Sequence, residues 1–418
     1  MASGGNSNSP FAWLGLLKWS LAYSDGTRPT EDVQPMSKED IAFLEKVMKE
    51  GIIDEGERMK TILKDLTDSL EGMLGLSLGG ESSETTSGDN EGETKKKELD
   101  EDEMIELLQE LKDIVEQIDY ARAFMAMGGI PFLLGCATSP PEGTNETAIP
   151  KSIRKWALSV LATMCQNNPP VQLSLLEHGH MPPLIQLFFD YSPTNESDGD
   201  DSMRDKVVQT ISCSVRGHSM AEHIFCQNKH GVLMVHLGLG IQSKSKPSAQ
   251  LRKRCLFLLR ALVTADDAVN SRIKPFQSAI SFVATRGVDP KEEADVEIRE
   301  MGLQMLTQML RHAPQIMSDR SSQSPNVASS EEFTLGKKII HDNKNHLTAI
   351  GVKRIQDIRK LEKGSDEYEL AALELEEWEN LMVALAETSS SAYPPNNNTG
   401  RNENEEDTPK LMICDMHP

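Results

Sequence analysis

Side chains with the potential for chemistry occur at a few places in the sequence. His178 and His180 flank Gly179 on a predicted turn, where two imidazoles could share a metal ion, but no third ligand is evident nearby. Glu376, Glu377 and Glu379 lie on a predicted helix, which is more typical of a solvated face than of an acid–base pair. The Gly-rich run at 72–80 lacks the Gly-Lys-Ser/Thr ending of a phosphate loop and predicts a linker. We predict a protein that is not an enzyme and uses no metal or cofactor.

A column of arginines recurs at similar intervals along the chain. Two interpretations are open: the guanidinium groups could line a charged groove, or each could lie near a helix start and contact the preceding repeat or water. The second is favoured, because the residue just before each arginine is apolar and belongs to a predicted core. The four arginines are Arg154, Arg204, Arg252 and Arg299.

The composition restricts the classes of partner and compartment. The formal net charge is -22, whereas nucleic acids and anionic membranes select for clustered Lys and Arg, so neither partner is predicted. The six cysteines form no CxxC pair, and those in apolar helical segments are predicted to be reduced core thiols. The apolar segment Phe11–Tyr23 is interrupted by Lys18, follows no basic residue and is too short to span a bilayer. We therefore predict a cytosolic protein, with the nucleus as a second compartment.

Four segments repeat in one register, which is the strongest structural signal in the sequence. Each carries apolar residues at helical spacing beside a column of small residues, and two shorter helical segments precede it. Glycines at 128–129, Gly179 and Gly231 are predicted to turn the chain between the shorter segments. The pattern predicts an all-α fold, an armadillo-like right-handed superhelix of about four three-helix repeats. The segments begin at Ile153, Met203, Leu251 and Ile298.

Composition and periodicity divide the chain into successive stretches. Gly/Ser-rich or acidic low-complexity runs predict flexible segments, and apolar periodicity predicts helices. The predicted order is a flexible N-terminal segment at 1–35, a helical region at 36–71, an acidic linker at 72–97, the repeat domain at 98–312, a loop at 313–345, a charged helical region at 346–388 and a disordered tail at 389–418.

The third helix of each repeat should line the concave side of such a stack. Residues that face away from the apolar stripe there are of mixed polarity, with small side chains and one aromatic ring, as a broad protein-binding surface would have. A solvated helix face is the alternative interpretation. The predicted partner-binding residues are Lys155, Ser159, Thr163, Gln166, Asp205, Gln209, Cys213, Arg216, Lys253, Phe257, Ala261, Glu300, Gln304 and Gln308.

Several blocks of sequence resemble one protein family. The blocks LLKWSLA at 16–22, MSKED at 36–40, DEGERMK at 54–60 and DYARAF at 119–124 are similar to those of Fes-type nucleotide exchange factors, the relatives of the heat-shock-protein-70-binding protein. The similarity covers about residues 11 to 312, and LLKWSLA is its most specific part. The acidic linker and the region beyond the repeats have no counterpart in the family's pattern.

The resemblance implies a co-chaperone. In that family an armadillo-type clamp embraces one lobe of the nucleotide-binding domain of heat-shock protein 70, and the open lobe arrangement that it favours releases ADP. A flexible N-terminal segment is associated with client release, and its counterparts here are Trp13, Leu16, Leu17 and Trp19. The implied protein is a cytosolic monomer that meets the chaperone and unfolded clients. The alternatives are an adaptor for another protein partner, and a secretory-pathway exchange factor whose signal is Phe11–Tyr23.

Overall fold

The computed structural model describes Lys38 and residues 54–74, 99–138, 149–193, 199–243, 245–265, 270–311 and 334–390. They belong to two compact units, Met1–Leu262 and Val263–Pro418. Helix is the regular structure of both units, and no strand occurs in the described ranges. The predicted all-α class is therefore confirmed.

The first unit consists of two leading helices followed by three-helix repeats. Each repeat has two short helices and one long helix, as the sequence predicts. The helices, of which the last ends just beyond the unit, are α1 (Glu55–Leu74), α2 (Glu101–Val115), α3 (Ile118–Ala126), α4 (Gly129–Ala137), α5 (Lys151–Cys165), α6 (Pro169–Glu177), α7 (Met181–Asp190), α8 (Asp201–Val215), α9 (Ser219–Gln227), α10 (Lys229–Leu239) and α11 (Ala249–Thr264).

Helices in equivalent positions of successive repeats pack side by side in the first unit. Among the first helices, α6 contacts both α3 and α9, and among the second helices α7 contacts α10. Among the third helices, α5 contacts α8 on one side and α2 on the other, so α2 occupies the place of a third helix before the first complete repeat. This layered arrangement confirms the armadillo-like repeat.

The apolar stripe of each third helix forms the core of its layer. Leu158, Val208 and Leu256, which occupy one column of the stripe, are almost completely buried. The neighbouring small column includes Ala157 and Cys255, which are also fully buried, because a small side chain lets the adjacent helix approach closely. Burying these stripes is what makes the repeats stack, since no single repeat can cover its own apolar face.

Glycine turns the chain between the two short helices in two of the three places predicted. Gly128 has φ 84° and Gly179 has φ 69°, both in the left-handed region. The prediction for Gly231 is wrong, because that residue lies inside α10. There Asn228 caps the helix by accepting hydrogen bonds from the backbone N–H groups of residues 230 and 231, and a Cβ on Gly231 would lie 2.8 Å from the Phe225 ring.

The second unit contains the fourth predicted repeat and three further helices. Its helices α14, α15, α16 and α17 pack together, with α17 against both α14 and α16. The helices α15 to α17 thus form a further three-helix repeat. The elements are α12 (Asn270–Ile273), a 3-10 turn (Lys274–Phe276), α13 (Gln277–Phe282), a π-helical segment (Val283–Gly287), α14 (Val296–Arg311), α15 (Thr334–Asp342), α16 (Lys344–Arg359) and α17 (Asp366–Ser390).

The predicted loop at 313–345 is wrong over residues 334–345, where α15 and the start of α16 lie. Ile340 is fully buried, and Gly336 allows α15 to approach α14, since a Cβ there would lie 2.7 Å from Met309 Cε. Two helix ends also extend past the predicted boundaries. Helix α1 continues into the predicted linker and ends at Leu74, and α17 continues into the predicted tail and ends at Ser390.

A substitution at Gly238 in α10 would test the close packing between α10 and α11. A Cβ at this position would lie 2.2 Å from the Sγ atom of buried Cys255, so we expect Gly238→Ala to destabilise the first unit by about 1–3 kcal/mol through overpacking. The matched control is Gly135→Ala in α4, where nothing lies within 4 Å of the new methyl group. We expect the control to be neutral or stabilising, because alanine favours helix by about 1 kcal/mol. Urea unfolding of both variants measures the difference, and equal stabilities would contradict the packing interpretation.

Candidate protein-binding face

The structure places the predicted face residues of the first unit at three depths. Gln166 and Phe257 are exposed, and Phe257 keeps 42% of its surface accessible. Ser159 and Asp205 are buried. The remaining residues are half-buried, and they are Lys155, Thr163, Gln209, Cys213, Arg216, Lys253 and Ala261.

Side-by-side packing of the third helices explains why two predicted face residues are covered. Thr210 Oγ1 of α8 donates a hydrogen bond of 2.9 Å to the carbonyl of Leu158 in α5, so the flanks of neighbouring third helices touch. Ser159 Oγ donates back to the carbonyl of Lys155 in its own helix at 2.9 Å. Asp205 Oδ1 accepts a 3.1 Å hydrogen bond from Arg254 Nε of α11. Neither side chain is therefore open to a partner.

A group of cations lies on the third helices α2, α5, α8 and α11, and we refer to it as the basic cluster: Lys112, Lys155, Lys206 and Arg254. Burial lowers the pKa of the Lys206 ammonium, and the charge of Asp205 opposes this effect. The positive charges of Arg254, Lys112 and Lys155 lower the pKa further, so each of these three cations is near enough to repel the ammonium of Lys206. Arg254 is paired with Asp205 at 3.1 Å and Lys112 with Glu116 at 3.2 Å. The basic cluster is thus a group of four cations with two paired carboxylates, in a chain whose net charge is -22.

Three members of the basic cluster are absent from the sequence-based prediction. Lys206 directly follows the predicted residue Asp205, and Arg254 directly follows the predicted residue Lys253. Both residues are basic and occupy equivalent positions in successive repeats, and this pattern could have been recognised in the sequence. Lys112 lies on α2, which the sequence did not align with the third helices.

An aromatic contact borders the basic cluster. The guanidinium carbon of Arg216 lies 4.4 Å from the centroid of the Phe257 ring, a cation–π arrangement. Burial raises the pKa of the half-buried Cys213 thiol overall, and the charge and hydrogen bond of Arg216 oppose this effect. An exposed aromatic ring beside basic groups is typical of the energetically important centre of a protein interface.

The face residues predicted for the second unit are in contact with its own last helix. Gln304 Nε2 donates a 2.9 Å hydrogen bond to Glu377 Oε1 of α17. Glu300 is half-buried, and burial together with the charge of Glu374 raises its pKa. Gln308 remains exposed one turn further on. Since α17 is the third helix of the following repeat, it covers the flank of α14 as α8 covers that of α5.

The predicted arginine column is buried and does not line a groove. Arg154 Nε donates to the carbonyl of Ile149 at 2.8 Å, and Arg299 Nη1 donates to the carbonyl of Ala294 at 3.0 Å. Arg252 likewise donates to the carbonyl of Pro247. Three of the arginines thus bind the backbone five residues upstream. The fourth, Arg204, pairs with Asp201 Oδ1 at 2.8 Å and stacks over the Phe188 ring.

Arg299 belongs to a buried triad in the second unit. Its Nε and Nη2 atoms donate to the two carboxylate oxygens of Glu374 at 2.9 and 2.7 Å. Arg354 of α16 donates to the same two oxygens at 3.0 and 2.8 Å. Burial alone would raise the pKa of Glu374, which is 0% exposed, but the hydrogen bonds and charges of the two arginines lower it overall. The triad joins α14, α16 and α17.

The histidines considered as metal ligands stack on each other, with ring centroids of His178 and His180 5.8 Å apart. Burial, and then the nearby His178, lower the pKa of His180. Within the ranges that the structure describes, no group of three His, Cys, Asp or Glu side chains is arranged to hold a metal ion. The N-terminal residues Trp13, Leu16, Leu17 and Trp19 lie outside the described residues.

The described helices were also compared with the length and apolarity that a membrane span requires. No single one of them meets both requirements, whereas the bent pair Ile118–Ala126 and Gly129–Ala137, with 83° between its helices, meets them jointly.

Comparison with known proteins gives structural neighbours only. No family model matches the chain, and no curated protein matches it significantly. The solved structures similar to it include an engineered protein, with a TM-score of 0.44, 14% identity and coverage of 76% of this chain and 96% of the other. They also include a designed armadillo repeat protein in complex with a (KR)4 peptide, with a TM-score of 0.41, 12% identity and coverage of 68% and 94%. At these values neither similarity bears on function.

Proposed function

We propose that this protein is a nucleotide exchange factor for cytosolic heat-shock protein 70, and that it acts as a monomer in the cytosol. The observation that supports a protein-binding role is the basic cluster on α2, α5, α8 and α11, with the exposed Phe257 beside it. The resemblance of the N-terminal blocks to Fes-type exchange factors supports the choice of partner. The surface would bind the nucleotide-binding domain of the chaperone through a complementary acidic patch.

Exchange would follow from a difference in affinity for two states of the chaperone. A face built on stacked helices is stiff, so it would bind well only to one lobe arrangement of the nucleotide-binding domain. If that arrangement is the open one, binding shifts the chaperone towards it and ADP is released faster. No residue of this chain needs to touch the nucleotide. By linkage, ADP must weaken the binding of this protein by the same factor.

The experiment that tests the proposal is stopped-flow release of a fluorescent ADP analogue from cytosolic heat-shock protein 70, with and without the intact chain. We expect faster release, and a fall in ADP affinity of about 5–150-fold, the usual range of coupling between sites. Titration of the chaperone with this protein, with and without ADP, should give the same factor. If the folded chain binds without any change in ADP affinity, the proposal is wrong and an armadillo adaptor becomes the better interpretation. Without any binding, an adaptor for another partner remains.

Cys213 provides a reporter on the proposed face. It is half-buried, whereas Cys136, Cys165, Cys226 and Cys255 are buried, so we expect Cys213 to react fastest of these five with iodoacetamide at pH 8. Burial raises the pKa of Cys136 and of Cys255 to about 12, which leaves almost no thiolate at that pH. Chaperone binding should slow labelling of Cys213 at least about fivefold, as measured by peptide mass spectrometry. An unchanged rate in a saturated complex would locate the chaperone elsewhere.

A further inference from the structure

The first turns of α17 carry exposed aliphatic side chains. Leu370 is 72% exposed and Leu373 47%. Leu370 lies one turn before Glu374 and two turns before Trp378, which are fully buried where α17 packs against α14 and α16, so the buried stripe becomes exposed at the start of the helix. Leu370 and Leu373 lie one turn apart, so their side chains are neighbours on the same surface.

Carboxylates surround the aliphatic residues of α17. The helix contains neither Lys nor Arg between Asp366 and Ser390. Glu374 and Glu379 are paired with arginines, and Glu377 accepts from Gln304. Five further acidic residues are exposed to solvent, and they are Asp366, Glu367, Glu369, Glu376 and Glu387. The aliphatic surface therefore lies in a strongly negative field.

We propose that the exposed start of α17, around Leu370 and Leu373, is a docking surface for a basic amphipathic helix of a partner protein. The apolar side of such a helix would cover Leu370 and Leu373, and its Lys or Arg side chains would pair with the carboxylates. This surface belongs to the second unit and does not include the basic cluster of the first. It is independent of the proposed exchange activity.

Charge disfavours the other candidates for covering this face. In a symmetric dimer the same patch would meet itself, and the carboxylates of α17 would face each other without a cation from the same helix. The C-terminal segment 391–418 contains Arg401 and Lys410 but more Asp and Glu than that, so it would also be repelled. A basic partner helix satisfies both the aliphatic and the acidic side chains.

The test uses a fluorescein-labelled amphipathic peptide of Leu and Lys at helical spacing, titrated with the full chain at physiological salt. We expect saturable binding by fluorescence anisotropy. The double variant Leu370→Gln/Leu373→Gln, which keeps every charge, should weaken binding by about tenfold or more through lost apolar burial. Glu369→Gln/Glu376→Gln, which keeps every aliphatic group, should weaken it as well and reduce its salt dependence. All four side chains are exposed, so both variants should fold.

Two controls separate docking from the general attraction of an acidic protein for a cationic peptide. A scrambled peptide of the same composition should bind at least about tenfold more weakly, because it lacks an apolar side. Ile224→Gln, at an exposed aliphatic residue of α9, should leave binding unchanged. The proposal would be overturned if the scrambled peptide bound as tightly as the amphipathic peptide. It would also be overturned if Leu370→Gln/Leu373→Gln bound the amphipathic peptide as tightly as the native chain does. So would a dimer of the free chain in sedimentation that the same double variant dissociates, since a second copy would then be the occupant.

Discussion

Replacing Glu374 by Gln should destabilise the second unit by about 3–5 kcal/mol, the usual cost of leaving buried charge without its partner. The carboxylate neutralises two guanidinium groups, which belong to Arg299, whose side chain is 4% exposed, and to Arg354, whose side chain is 23% exposed. An amide keeps at most one acceptor oxygen and directs an N–H group towards a cation. Hydrogen exchange of peptides from α14, α16 and α17, followed by mass spectrometry, measures the local loss of stability. Amides in these helices should exchange roughly a hundredfold faster or more.

The matched control for Glu374 lies one turn and a half along the same helix. Glu379 accepts from Arg359 Nη2 at 2.8 Å, but both side chains are largely exposed, so Glu379→Gln should leave exchange unchanged. The variant Arg299→Met/Arg354→Met/Glu374→Leu removes all three charges. We expect its stability to be close to that of the native chain, and therefore well above that of Glu374→Gln. Equal loss in the triple variant and in Glu374→Gln would mean that shape, and not charge, determines the effect.

The triad also gives the stability of the second unit a defined pH dependence. The pKa of Glu374 is lowered in the folded protein relative to its ordinary value of 4.5, so the unfolded chain binds its proton more readily. The stabilisation that the Glu374 carboxylate contributes is therefore complete above about pH 4.5. It is lost as the pH falls through the lower pKa that Glu374 has in the folded protein. The difference in stability between the native chain and Glu374→Gln should be constant from pH 7 to about pH 5 and should narrow below that. A difference that widened on acidification would contradict the assignment.

Charge reversal at Lys206 is expected to give the largest change in binding. The ammonium group is half-buried among Lys112, Lys155 and Arg254, so the pairs that a partner's carboxylate makes there are poorly screened. We expect Lys206→Glu to weaken binding to the nucleotide-binding domain of heat-shock protein 70 by about tenfold or more, and Lys155→Glu in addition to weaken it further. The salt dependence of the affinity should decrease in parallel. Isothermal titration at two salt concentrations measures both quantities.

The same substitution should not unfold the protein, which separates binding from folding. In the native chain, burial and the neighbouring cations lower the pKa of Lys206, so its positive charge is disfavoured in the folded state. A carboxylate at this position would face Arg254 and relieve the crowding of positive charge. The matched control is Lys229→Glu at the exposed start of α10, away from the third helices. Equal weakening by both variants would show that net charge alone, and not the basic cluster, determines the affinity.

The sequence predicted the layers of the fold because the apolar stripe has the period of a helix and keeps one register. The columns of Ala157 and Leu158 could be aligned without knowledge of any contact, and both residues are buried as that alignment requires. Helix α15 escaped prediction because its apolar run is short and contains Gly336. The reason for that glycine, the approach of Met309, lies in another helix.

The face was harder to predict than the core, since exposure depends on what the neighbouring helix covers. A single helix shows which side is polar, but the flank of α5 that holds Ser159 is covered by α8, as the hydrogen bond from Thr210 shows. Likewise the sequence alone could not pair Arg299 with Glu374, because the two residues belong to different repeats. The polarity of the sequence identified the helices that carry the face. Which of their residues are exposed is determined by the packing of the neighbouring helices.

The arginine column has a consequence for how this protein tolerates changes of length. Arg154, Arg252 and Arg299 each bind a carbonyl five residues upstream, so the direction in which a long helix begins is set locally. The connections that lead to α5, α8, α11 and α14 become shorter from one to the next, yet the helices that follow them stay in register. The longest of these connections, between Ala137 and Lys151, is thus a place where a peptide tag, a cleavage site or a fluorescent domain can be inserted. Because closing a loop of doubled length costs only about 0.6 kcal/mol, the stack should accept such grafts between 139 and 148 with little loss of stability.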